Sequence, residues 1–119
     1  MPTSDMPLKT GDIVVVPFPY SDRRAEKRRP ALVVSNDHVH KQGLVWLMMV
    51  TSAKHSETAF DHMIRDLAPT GLKVASIVRP IKITCIEPDR ILRRAGTLSA
   101  DEMNEITAVT RNFLGPATL

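Results

Sequence analysis

Five cations crowd into ten residues of this chain: Arg23, Arg24, Lys27, Arg28 and Arg29, in the segment SDRRAEKRRP at 21–30. Only Asp22 and Glu26 oppose them, so the segment carries a net +3, equal to the net charge of the whole chain. Cations at this density suit a polyanion, because phosphate neutralisation drives nucleic-acid affinity. They equally suit a solvated loop that resists aggregation. Arg29 differs from its neighbours in being followed by Pro30, which fixes the local backbone. An arginine fork matches two phosphate oxygens at once, which a lysine ammonium does not. Thr51 closes an apolar run, and its hydroxyl can donate to a phosphate oxygen. Ser52 follows it and, in an extended strand, faces the other way. Proton transfer needs a group that titrates, and two stand nearby in sequence: Glu26 before Arg29, and His55 after Thr51. Phe18 and Tyr20 offer rings on which bases can stack, with core packing as the competing reading for Phe18.

Other reactive types carry less. His38-x-His40 beside Asp37 has metal-ligand residue types but no second ligand cluster, so an ordinary turn is expected, with no metal and no cofactor. The single cysteine, Cys85, excludes an internal disulfide and a cysteine-based zinc site. It alternates with Ile83 and reads as a core residue, with no base placed to activate it.

The elements that must position these groups are mostly strands. At 119 residues the chain makes one domain, with its core at about 8–114. Hydrophobic residues at 43% and charged residues at 24% exclude a disordered chain and a coiled coil. The longest apolar run, Leu44 to Val50, is far short of the roughly 20 residues that span a bilayer. The first residues, MPTSDMPLKT, hold no apolar signal segment, so no membrane contact and a cytoplasmic location are expected. Strands are predicted at Asp12–Val16, Ala31–Ser35, Leu44–Thr51, Phe60–Ile64 and Ile91–Thr97. One more covers Ala75–Val78 and Ile81–Ile86, interrupted at Pro80. Pro17-Phe18-Pro19-Tyr20 should end the first strand and leave the basic segment as a loop. Ile81, Ile83 and Cys85 alternate with Lys82 and Thr84, which predicts one buried and one wet face; Trp46 is expected in the core. Ser99-Ala100-Asp101-Glu102 is a capping box, followed by Met103, Ile106, Thr110 and Phe113 at helical spacing up to Gly115-Pro116. Short strands with Pro/Gly turns and one terminal helix point to a small barrel or a strongly bent sheet.

Several phrases, in order, resemble one family. Gly11-Asp12-Ile13-Val14-Val15-Val16-Pro17-Phe18 resembles the opening strand of the MazF/PemK toxins of bacterial toxin–antitoxin systems. Arg29-Pro30-Ala31-Leu32-Val33-Val34-Ser35 is similar to their second strand entry, and Val50-Thr51-Ser52 to their third strand end. Gly71-Leu72, Ser76-Ile77-Val78-Arg79 with Lys82, and Leu92, Gly96, Leu98-Ser99 and Glu102 continue the match to about Leu114.

The resemblance implies a mainly β fold with a C-terminal helix, an SH3-like antiparallel β-barrel of the CcdB/MazF kind, assembled as a homodimer. It implies a metal-independent endoribonuclease, an mRNA interferase that cuts single-stranded RNA, stops translation and growth, and is neutralised by a cognate antitoxin. Arg29 matches the family's functional arginine and Thr51 its strand-end threonine. Arg79 matches an arginine used in one branch, where an acidic residue stands two positions later; here that position is Ile81. Glu26 and His55 remain the two candidates for the base. Arg23, Arg24, Lys27, Arg28, Phe18, Tyr20 and Ser52 are the expected RNA contacts. Two other readings share the fold: a CcdB-like toxin that binds protein, and an inactive member that binds RNA.

Overall fold

Runs such as Ile13-Val14-Val15-Val16 and Ala31-Leu32-Val33 put apolar side chains on both faces of an extended chain, which requires cover on both sides. A computed structural model, describing residues 7–18, 27–55 and 58–116, supplies that cover. The elements are β1 (Asp12–Phe18), β2 (Lys27–Val33), α1 (Asp37–His40), β3 (Val45–Ser52), β4 (His62–Met63), β5 (Ser76–Ile86), β6 (Arg93–Thr97) and α2 (Ala100–Arg111). The strands form one antiparallel sheet in the order β4-β5-β3-β2-β1-β6. It curls into a half-barrel, a mainly β fold with a C-terminal helix. One face packs Ile13, Leu32, Met48 and Val78 under Met103 and Ile106 of α2. The other buries Val14, Val16, Ala31, Val33 and Leu47 inside the curl. Among the described residues no helix is long and apolar enough to cross a membrane.

Two glycines let the turn after β4 lie against β6. A Cβ on Gly96 would sit 2.2 Å from the Pro69 carbonyl oxygen, and one on Gly71 (φ +76°) 2.1 Å from that of Ala95. Both distances are far inside van der Waals contact with backbone, so only hydrogen fits there.

Helix α2 is docked by its own N-terminal glutamate. The Ser99 hydroxyl accepts from the Glu102 amide at 3.3 Å, as the capping box predicts. The Glu102 carboxylate, however, reaches across to a neighbouring segment. It accepts from the amides of Arg65 and Asp66 at 3.0 Å each, and from His62 Nε2 at 2.7 Å. Glu102 is 2% exposed. Burial pushes its pKa up, but the two amides and the His62 donor pull harder, and the carboxyl is lowered to about 2.

Three sequence expectations are corrected. Strand β1 runs on through Pro17 and Phe18, which pair with Arg28 and Lys27, so Lys27–Arg29 are strand and not loop. Pro17 is tolerated because its missing N–H points away from β2, to the side where the Val15 carbonyl accepts from Leu92. Trp46 is 43% exposed, and Cys85 is exposed as well. Trp46 shares its face of β3 with Met48 and Val50, the helix-bearing one, and Cys85 is brought to that face by Pro80. The β3–β5 ladder pairs Met49 with Arg79 and then Met48 with Ile83, skipping 80–82. Unbroken register would set Ile81 opposite Leu47 and Ile83 opposite Val45, inside the curl. A slip of three residues, an odd number, exchanges the faces. Ile83 and Cys85 therefore emerge opposite Met48 and Trp46, on the helix-bearing face at the end α2 leaves uncovered. Strand β4 is also shorter than the predicted Phe60–Ile64, β2 ends at Val33 and not at Ser35, β3 runs one residue later than the predicted Leu44–Thr51, and β6 starts two residues later than the predicted Ile91–Thr97.

Candidate active site

Strand register decides which predicted residues share a face. Arg29 lies opposite Val16, whose side chain is buried inside the curl. Ala31 lies opposite Met49, and Met49 opposite Arg79. Directly opposed residues of antiparallel strands point to one face, as do residues two apart along a strand. Arg29, Thr51 and Arg79 therefore project from the same face. Arg28 and Ser52 belong to the opposite one.

Pro30 opens the sheet between the first two. The Val34 amide donates to the Trp46 carbonyl, so on β2 the even positions aim their N–H groups at β3. Position 30 would aim at Val50, and proline has no N–H. The β2–β3 ladder indeed ends at Ala31–Met49. Beyond it, 27–30 pair with β1 alone and Val50–Ser52 with β5 alone. Continuing the register would set Arg29 against Thr51, so these two flank the parting of the strands. Arg29 Nε is buried and meets no hydrogen-bond acceptor among the described residues. A buried cationic donor of this kind is costly until an acceptor arrives, and a phosphate oxygen is a strong one.

Arg79 is spent differently. It is 7% exposed. Its Nε and one terminal nitrogen donate to the two carboxylate oxygens of Asp61 at 3.0 Å each. The same terminal nitrogen donates to the His55 carbonyl. Asp61 in turn accepts from the amide and the hydroxyl of Thr58, at 3.2 and 2.8 Å. The carboxylate that Arg79 meets thus comes from position 61, while Ile81, two residues after the arginine, is 55% exposed. The spacing Thr58-x-x-Asp61 marks a local side-chain turn, yet nothing in it announces a partner 18 residues away. His55 ends a 3-10 turn, Ala53–His55, with its ring exposed. Ser52 Oγ accepts from the Lys54 amide at 3.2 Å. Lys27 and Arg28 are exposed. Arg23, Arg24, Glu26, Tyr20 and the ring of Phe18 lie outside the described residues.

Two further motif residues are structural. Asp12 is buried and accepts from the Lys9 amide and Arg94. Ser35 Oγ accepts from the Trp46 amide and lies 2.7 Å from His40 Nε2. His40 is therefore engaged within the fold, and Asn36 caps α1 through the His38 amide. Among the described residues no group of three or more His, Cys, Asp or Glu side chains is placed to hold a metal ion.

The family model described as "PemK-like, MazF-like toxin of type II toxin-antitoxin system" matches residues 9–114. No curated protein matches the chain. Among solved structures, MazE-MazF from Deinococcus radiodurans superposes with a TM-score of 0.70 at 22% identity, covering 94% of this chain and 99% of the other. An endoribonuclease in complex with its cognate antitoxin, from a mycobacterial species, gives 0.67 at 17% identity, covering 92% and 99%. The Mycobacterium tuberculosis toxin MazF-mt6 gives 0.67 at 20%, covering 85% and 93%. These likenesses carry the fold, and the family match, which spans every strand and helix just described, carries the membership: this chain belongs to the PemK-like, MazF-like toxins of type II toxin–antitoxin systems.

Proposed function

We propose that the protein is an endoribonuclease toxin that cuts single-stranded RNA in the cytoplasm without a metal, stops translation and growth, and is held inactive by a cognate antitoxin. The observation that carries this reading is the parting of β2 and β3, with Arg29 on one side, its Nε unpartnered among the described residues, and Thr51 on the other. In this chemistry the ribose 2′-oxygen loses its proton to a base and attacks the adjacent phosphorus. The bond to the 5′-oxygen breaks, and that oxygen takes up a proton. The products are a 2′,3′-cyclic phosphate and a 5′-hydroxyl. Arg29 holds the phosphate and stabilises the charge that builds on its oxygens, the term that usually contributes most. Thr51 donates to the same phosphate. The base is Glu26 or His55. Lys27 and Arg28 bind flanking phosphates, together with Arg23 and Arg24. A toxin that acts only by binding protein has no use for Arg29 and Thr51 on either side of the parted strands.

Pure protein incubated with long single-stranded RNA in EDTA is expected to cut it at a recurring sequence, read by sequencing the new ends. Activity that disappears in EDTA and returns with Mg²⁺ would contradict this mechanism.

The protein is also proposed to work as a homodimer. Trp46, Ile83 and Cys85 share one face of the sheet and are exposed, an apolar strip that a second copy would cover. Light scattering at micromolar concentration should give twice the chain mass. The pair of changes Trp46→Glu and Ile83→Glu should return it to the mass of one chain. A monomeric wild type would refute the dimer.

A further inference from the structure

We propose that Asp61 is a positioning residue of the cleavage site, holding Arg79 as a clamp on the turn that follows Thr51. The proposal rests on the nuclease reading above. Arg79 leaves β5 on the same face as Thr51, two positions along from the residue that opposes it. A phosphate-binding arginine needs its fork free, whereas both edge donors here are taken up by the two oxygens of Asp61. The same terminal nitrogen that meets Asp61 also donates to a backbone oxygen, the carbonyl of His55. That bond ties the end of the Ala53–His55 turn to the middle of β5, while the Ala53 amide ties its start to the Ala75 carbonyl. The turn carrying His55 and adjoining Thr51 is therefore fixed at one end to β5 and at the other to the residue just before it.

Asp61 is itself fixed twice. Thr58 donates to it from its amide and its hydroxyl. The next residue, His62, is pinned to Glu102 of α2 at 2.7 Å. A chain of bonds thus runs from the C-terminal helix through β4 to the turn beside Thr51. Asp61 and Arg79 act on chemistry through the placement of other groups, not by touching RNA.

The test compares Asp61→Asn, Arg79→Gln, the double variant and Thr58→Val in single-turnover cleavage, RNA binding over a salt series, and amide hydrogen exchange. Asp61→Asn should slow cleavage at saturating protein by about 10–10²-fold, the scale of a small misplacement of reacting groups. RNA affinity and its salt slope should stay at wild-type values. Arg79→Gln should do the same, and the double variant should be no slower than the slower single one, because both remove one clamp. Thr58→Val keeps the ion pair and loses one hydroxyl donor; it should show a smaller rate loss with unchanged binding, and it covers the case in which Asp61→Asn does not fold. Amides of 53–55 should exchange faster in Asp61→Asn, while those of β1 and β2 do not. A wild-type rate in both Asp61→Asn and Thr58→Val would overturn the proposal. So would a salt slope lowered by about 0.7 in Arg79→Gln, the mark of a lost phosphate contact on a single strand. The exchange result does not depend on cleavage. A wild type that cuts no RNA but shows the loosened turn would sink the nuclease reading and leave the clamp standing.

Discussion

Arg29→Ala is expected to slow single-turnover RNA cleavage by about 10²–10³-fold, the usual cost of removing one preorganised donor to a developing oxyanion. Arg28→Ala is expected to weaken RNA binding modestly, with an effect that fades as salt rises. The two residues are adjacent and equally charged, so a purely electrostatic patch would answer alike to both changes. The strand register separates them. Arg29 shares a face with Val16 and Thr51, and Arg28 points the opposite way. Pro30 then breaks the ladder on the Arg29 side and leaves the guanidinium beside the parted strands. Arg29→Lys should restore binding and not rate, since an ammonium lacks the planar fork. Equal defects for the two alanine variants, or full rescue by lysine, would reduce the site to a charged surface.

The largest expected effect on stability falls on Glu102. Its carboxyl titrates at about 2 in the fold against an ordinary 4.5. A depressed pKa contributes stability that is complete above the unfolded value and is lost as pH falls through the folded one. The window is thus about pH 4.5 down to 2, and the amount is about 3 kcal/mol. Glu102→Gln should lower stability at neutral pH by about that much, because an amide presents one donor where Arg65, Asp66 and His62 all require acceptors. It should also remove the corresponding part of the acid sensitivity. Urea unfolding of both proteins between pH 2 and 7 measures this. Parallel stability curves would mean that the carboxylate is not holding the helix.

These two sites were not equally legible in the sequence. Asp12–Val16 and Ala31–Ser35 announced strands because β-branched runs buried on both faces have few other uses, although the second ends at Val33. The capping box announced α2 because Ser99 and Glu102 stand at the required offset, and Met103 and Ile106 at helical spacing. Arg29 and Thr51 could be singled out by residue type, by Pro30 and by resemblance to a family. Their placement on either side of a broken ladder could not, since it depends on which way position 30 aims its N–H. Trp46 and Cys85 were misread as core because period-2 alternation says which residues share a face, not which face is inside. The slip at Pro80 reverses that choice over half of β5. Asp61 and Arg79 went unpaired in the sequence because a long-range ion pair leaves no local pattern.

The central claim is that this fold directs a ribose 2′-hydroxyl at phosphorus. The most direct measurement uses an RNA with a single 2′-deoxynucleotide on the 5′ side of a mapped cut, compared with the all-ribose strand in EDTA. The all-ribose strand should be cut to a 2′,3′-cyclic phosphate and a 5′-hydroxyl, and the substituted strand should bind with the same affinity and stay intact at that position. Cleavage of the substituted strand there, or 5′-phosphate ends from either, would contradict it.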